Sequence, residues 1–267
     1  MGIHVYDVDN LLNINSRTGS DGYQAKYYSN DRKIFIKTQA YMQGVLMKDW
    51  LVEIDASKMC EKLNINCVKQ YHCKVRKGKD TLDAVESANF ELDGLEFISF
   101  ESFIGHFEHR ATSDSYFIKM SSIEKLQYCA GVLSRYSNID IRLTTKYMLD
   151  LAIIDIIVGN IDRHTKNFGI FWNTNTSKFQ IAKIFDNGMG FFENDYYRDM
   201  YTSIQDRLRN TYVAPYGEDP FDMLCILKKY FDLNNIYNFS ALNVNDYTFP
   251  NADSKIYFKE VLKQLRR

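Results

Sequence analysis

The sequence predicts an α+β chain or a pair of lobes, with strands gathered in the first part and helices in the second. Three observations carry this. Strand-like alternation crowds the residues before about Gly105, helical spacing dominates after it, and a short hairpin pattern interrupts the helices near residue 170. With 267 residues, 45% of them hydrophobic and 25% charged, the composition is globular and the length allows sizeable cores.

Taken in order, RKIFIKTQA (32–40) sets Ile34 and Ile36 against Phe35 and Lys37, a strand after the polar YSND turn. DWLVEIDASKMCEKLNI follows, with Leu51, Ile54, Met59 and Leu63 near helical spacing and Asp49 as the expected N-cap. VKQYHCKVR and GLEFISFESFI read as further strands, and the connection KGKDTLDAVESANFELD reads as an exposed excursion. SIEKLQYCAGVLSRY has a serine cap and apolar residues at Ile123, Leu126, Ala130 and Leu133. TTKYMLDLAIIDIIVG is apolar nearly all round, which predicts a central buried helix. NFGIFWN and KFQIAKIFD, joined by TNTS, form a hairpin. YRDMYTSIQDRLRN, FDMLCILKKYF and SKIYFKEVLKQLRR are three more expected helices.

Bulk features exclude several classes. A net charge of −1 argues against coating nucleic acid or resting on a membrane surface, so neither partner is expected. The start MGIHVYDVDN lacks the basic-then-apolar signature of a secretory signal, and its Tyr6 misses the myristoylation pattern. MLDLAIIDIIVG is short and carries Asp150 and Asp155, so it is no membrane span. Cys60, Cys67, Cys73, Cys129 and Cys225 include no Cys-x-x-Cys pair and read as reduced thiols of a cytoplasmic protein. His106 and His109 stand three apart, but no second ligand pair has zinc spacing.

The informative stretch is GNIDRHTKNFGIF (159–171), where the apolar helix ends in a crowd of polar residues. Asp162 and Asn167 share a short loop. The hairpin returns the chain to Asp186, so the ends near Asn167 and Asp186 must lie close. Magnesium takes few protein oxygens and keeps its other positions for water and phosphate. Asn167 and Asp186 could supply those oxygens, Asp162 could deprotonate a hydroxyl, and Lys166 or His164 could offset charge on a moving phosphoryl group. A buried Asp155 must be paired, and it is expected to anchor this loop along with Asn160. Arg163 is expected to brace the loop by pairing with an acid.

Asp162-x-x-x-x-Asn167, a hairpin, then Asp186-x-Gly188 resembles the catalytic and metal-binding loops of protein-kinase-like folds. The DRH order, with GN before it and NFG after, resembles the HipA-like Ser/Thr kinases and, more distantly, phosphoinositide kinases. The likeness runs from about Ser16 and is most specific from Asp155 to Gly190. It implies a bilobal protein-kinase-like fold, α+β, with an N-lobe over 1–104 and a helical C-lobe over 105–267. SFESFI (99–104) resembles the passage between them.

The resemblance also implies roles. Lys37 would hold the α- and β-phosphates of ATP, fixed by Glu53. Asp162 would be the base, and Asn167 and Asp186 would bind Mg²⁺. NSRTGSDGYQAK would cover the phosphates, with Ser16, Thr18, Gly19, Ser20 and Gly22 in the cover and Ser16, Thr18 or Ser20 as autophosphorylation sites. His164 stands where ordinary kinases have Lys. The implied activity is protein Ser/Thr phosphorylation by a bacterial toxin or an effector, the latter delivered to a host. The implied partners are a Ser/Thr-bearing protein substrate and either an antitoxin or a separate N-terminal subunit, because longer HipA-like toxins carry an N-terminal subdomain not seen here. A lipid or small-molecule kinase and a nucleotide-binding pseudokinase are the alternatives on the same scaffold.

Overall fold

The computed structural model describes residues 2–14, 24–42, 45–90, 94–191, 213 and 215–267. The expected helix over 197–210 lies outside them, as does the loop holding Ser16, Thr18, Gly19, Ser20 and Gly22. The strands of the first part are β1 (His4–Asp7), β2 (Leu11–Asn13), β3 (Lys26–Ser29), β4 (Ile34–Thr38), β5 (Tyr41–Met42) and β6 (Val45–Leu46). Helix α1 (Asp49–Lys62) follows, then β7 (Tyr71–Lys77), β8 (Asp80–Ala88) and β9 (Leu95–Ser99). Next come α2 (Phe100–Glu108), α3 (Ser115–Ile118), α4 (Ser122–Ser137) and α5 (Ile141–Val158). The hairpin β10 (Gly169–Asn173) and β11 (Lys178–Ile181) precedes the helices Pro220–Tyr230 and Ala252–Leu265. Among the described residues no helix is long and apolar enough to cross a membrane.

Six strands form one sheet in the order β1-β7-β8-β4-β3-β2, antiparallel throughout except for β1 beside β7. Alternation along β4 splits its residues between two faces. Ile36 joins Tyr27, Cys73, Val75 and Ala84 in a small core on one face. Lys37 faces the other way, with Lys26 directly across on β3 and Val85 across on β8. On that side α1 packs against β7 and β8.

Three local expectations are overturned. The excursion after Lys77 is strand β8, deep in the sheet. Its charges hid it, but two of them have partners on other strands: Asp83 meets His72 Nε2 at 2.8 Å, and Glu86 accepts from Tyr6 at 2.6 Å and meets His4 at 2.8 Å. The run GLEFISFESFI is strand only to Ser99; Ser99 then caps α2 by accepting from the Ser102 N–H. Phe100, Phe103, Ile104 and Phe107 follow helical spacing, and their β-prone aromatic character masked it. Asp49 opens α1 instead of capping it, and its carboxylate accepts from the Ala40 N–H at 3.1 Å.

The second part is built around α5, whose residues from Tyr147 to Val158 are all buried. Its neighbour α4 begins in a capping box between Ser121 and Glu124. A left-handed Gly159 ends α5 and turns the chain toward the polar loop. The hairpin then pairs β10 with β9, so the segment before α2 and the hairpin share a three-stranded sheet. Gly169 permits this crossing, since a Cβ there would sit 2.1 Å from the Ile98 carbonyl oxygen.

Candidate active site

The site starts with the Lys37 ammonium. From the inner face of β4 it donates to Glu53 Oε1 on α1 at 2.8 Å and to Asp186 Oδ1 at 2.6 Å. Glu53 is almost fully buried, with its side chain 1% exposed; its second oxygen accepts the Asn187 N–H at 3.0 Å. One glutamate thus holds a lysine from the sheet and the backbone beside Asp186. Burial disfavours charge on Lys37, but Asp186 and Glu53 more than reverse this and hold its pKa above the ordinary lysine range. Burial likewise pushes Asp186 up, and the charge and hydrogen bond of Lys37 overcome it, holding the carboxyl at about 2. Asp186 is therefore held in its ionised form beside Lys37.

The polar loop after α5 is organised from within. Arg163 is wholly buried, with two nitrogens on the equally buried Asp155 at 3.0–3.3 Å. It also donates to the carbonyls of Asn167 and Phe185 and to Asn187 Oδ1. A single planar fork therefore spans the end of α5, the loop and the stretch leading into Asp186. Asn160 donates to Asp155 at 2.9 Å and accepts the Asp162 N–H at 3.1 Å. Asp155, Asn160 and Arg163 thus brace the loop.

Asn167 Nδ2 donates to the Asp162 carbonyl at 3.2 Å, which leaves the amide oxygen as its acceptor. Asp162 itself is exposed. The water it does lose raises its carboxyl above the ordinary range, His164 opposes that, and Asp186 adds to it. His164 and Lys166 are exposed on the same loop, and His164 Nδ1 accepts the Lys166 N–H at 3.2 Å. Thr165 between them is buried; its hydroxyl donates to Glu101 on α2 at 2.7 Å, and its carbonyl accepts the Glu101 N–H.

Lys37, Glu53 and Asp186 are in direct contact, and the Arg163 fork ties the Asn167 backbone to the residues on either side of Asp186. Three contributors escaped the sequence reading. Lys26 lies across from Lys37, and its pKa is lowered by burial and by that neighbouring ammonium. Asp49 accepts from the Gln24 side chain. Thr165 anchors the polar loop to α2. No motif marks them; only the β3–β4 register would have pointed to Lys26.

Among the described residues, no three His, Cys, Asp or Glu side chains cluster as a protein-only metal cage. The oxygens of Asp186 and Asn167 instead fit a hard cation that shares its coordination with water and phosphate.

The crystal structure of the Helicobacter pylori proinflammatory kinase CtkA is similar, with a TM-score of 0.63 at 15% identity, covering 99% of this chain and 94% of that one. At that identity the likeness is one of fold, which is α+β and bilobal. Shewanella oneidensis HipA, solved with HipB and operator DNA, aligns with a TM-score of 0.45 at 14% identity, over 93% of this chain and 63% of that one. No curated protein sequence matches. The family model for the HipA-like C-terminal domain matches residues 18–246, and by that match the chain belongs to the HipA-like C-terminal domain family.

Proposed function

We propose that the protein is an ATP- and Mg²⁺-dependent kinase that transfers the γ-phosphoryl group to a serine or threonine hydroxyl of a protein. The observation that carries this reading is the buried Lys37 ammonium held between Glu53 and Asp186. A buried lysine fixed by two carboxylates is positioned to meet the phosphates of a nucleotide, and a carboxylate held ionised beside it suits a divalent cation. On this reading residues 1–104 form the nucleotide-covering lobe and 105–267 the lobe that carries the acceptor.

Asp162 takes the proton of the attacking hydroxyl, and its exposure leaves it open to an incoming protein. His164 and Lys166 flank it as cationic or hydrogen-bonding groups for the transferring phosphoryl. Asn167 and Asp186 hold Mg²⁺, which neutralises phosphate charge when bound. Arg163 and Thr165 keep the loop that carries Asp162 and Asn167 in one conformation. The 15–23 loop, with Ser16, Thr18, Gly19, Ser20 and Gly22, covers the phosphates and offers hydroxyls for autophosphorylation. An antitoxin or a separate N-terminal subunit is the proposed regulatory partner, and the cytoplasm the proposed location.

Turnover of radiolabelled ATP by wild type and by Asp162→Ala tests the reading. Incorporation of phosphate into protein serine or threonine by wild type alone supports it. Equal transfer by both proteins removes Asp162 as the base. Transfer only to lipid or a small metabolite replaces the acceptor class, and ATP binding without transfer makes the chain a pseudokinase.

A further inference from the structure

Behind the Lys37–Glu53–Asp186 contact lies a second cluster that the kinase reading does not use. Cys60 sits on α1, seven residues after Glu53 and so on the same helical face. It is fully buried, whereas Cys67 is partly exposed. Each thiol is the strongest influence on the other's titration, and so the two are neighbours at this end of α1. Cys67 Sγ also lies 3.7 Å from the Ser57 carbonyl oxygen, one turn before Cys60, and the Gln70 N–H donates to Ser57 Oγ at 3.2 Å. The 67–70 segment is therefore laid along α1 with its sulfur between Ser57 and Cys60.

The other side of that segment faces the strand leading into the site. Cys67 bridges Ile184 in parallel fashion; the Val68 N–H donates to the Ile184 carbonyl at 2.9 Å, and the Ile184 N–H to the Asn66 carbonyl at 3.0 Å. Two residues later comes Asp186. Cys67 thus connects the helix that carries Glu53 to the stretch that carries Asp186.

We propose that Cys60 and Cys67 are a redox modification site that closes to an intramolecular disulfide under a hydroperoxide oxidant. The Cys67 thiolate attacks a peroxide oxygen and breaks the O–O bond, giving a sulfenic acid and, after proton uptake, one water from hydrogen peroxide. Cys60 sulfur then attacks the sulfenic sulfur, the S–O bond breaks, and a second water leaves with the Cys60 proton. Two thiols are oxidised by two electrons and one peroxide is reduced, so the step balances.

The roles follow from access and charge. Cys67 is the thiol that solvent reaches, and the neighbouring Cys60 thiol lowers its pKa from the ordinary thiol value. Cys60 is shielded and already within reach as the resolving thiol. Closure joins the two sulfurs by a covalent bond of about 2.05 Å. It draws the 67–68 segment onto α1, with Ile184 hydrogen-bonded behind it.

The test uses the full chain, titrated with hydrogen peroxide and followed by peptide mass mapping, with the exposed Cys225 as an internal standard. The expected result is a Cys60–Cys67 cross-linked peptide two hydrogens lighter than the thiol pair, reversed by dithiothreitol and formed before Cys225 is half oxidised. Slower amide exchange at Val68 and Ile184 accompanies it. Cys67→Ser, which leaves the core thiol in place, yields no cross-link and no change in exchange. Sulfinic or sulfonic acid at Cys67 without a cross-link overturns the proposal, as does oxidation of Cys225 while Cys60 and Cys67 remain thiols. Any effect of the cross-link on phosphate transfer rests on the proposed kinase reading. The cross-link itself is read by mass, so a chain that transfers no phosphate leaves this result standing.

Discussion

The residues in and around the polar loop differ sharply in burial. Arg163 and Asp155 are sealed from water, and breaking such a pair from one side strands a charge. Arg163→Met should therefore destabilise the fold by about 3–5 kcal/mol, read as a shift in the urea midpoint. A result within about 0.5 kcal/mol of wild type would mean that water reaches Asp155. Asp162, by contrast, is exposed, so Asp162→Asn should leave the urea midpoint in place; on the proposed function it should also lower kcat by about 10²–10⁴-fold in a phosphate-transfer assay. The proposed metal role makes a separate forecast. Asp186→Ala should raise the Mg²⁺ concentration needed for half-maximal ATP binding, and unchanged metal dependence would remove Asp186 from that role. Asp155 and Arg163 were open to inference because a carboxylate within an apolar run demands a partner. Lys26 and Thr165 were not, because their neighbours come from strand register and from α2, which no local pattern encodes.

Among the elements, α5 couples its cap to pH. Asp140 accepts from the Arg142 N–H at 2.8 Å, and the Arg142 side chain and backbone hold its carboxyl at about 2, below the ordinary 3.8. A depressed folded pKa gives stability that is present above 3.8 and is lost as pH falls toward 2. Amide exchange in the first turn of α5 should accelerate across that window in wild type, and Asp140→Ala should exchange fast throughout with no acid step. Helices such as α4 and α5 were legible because capping and 3.6-residue spacing are local. Strand β8 was not, since its Asp83 and Glu86 look solvent-seeking until His72 of the neighbouring β7 and His4 and Tyr6 of the remote β1 meet them.

At the scale of the molecule, the C-terminal segment holds the helix of the first part. The Thr248 N–H donates to the buried Asp55 at 2.8 Å, Lys48 reaches the Pro250 carbonyl at 3.1 Å, and Lys62 pairs with Asp246. These contacts bear on α1, which presents Glu53 to Lys37. Thr248→Pro deletes the donor and leaves a buried carboxylate oxygen short of a partner, at a cost of about 1–3 kcal/mol. On the proposed function it should also raise KM for ATP more than it lowers kcat, in steady-state kinetics. An unchanged KM would show that α1 keeps Glu53 in place without the C-terminal segment.

What the sequence alone determined is whatever rests on short-range periodicity and motif spacing: the α+β layout, the central α5 and the β10–β11 hairpin. The helix and the hairpin are each set within about twenty residues, where local periodicity and turn geometry limit where the chain can go. The tertiary structure alone decided that Lys37 meets Asp186 across 149 positions, that β1 runs parallel to β7, that Arg163 reaches both Phe185 and Asn187, and that Cys67 lies between α1 and Ile184. Such contacts come from the packing of whole sheets and helices. That packing is chosen by the burial of many side chains together, and no local stretch of sequence specifies it.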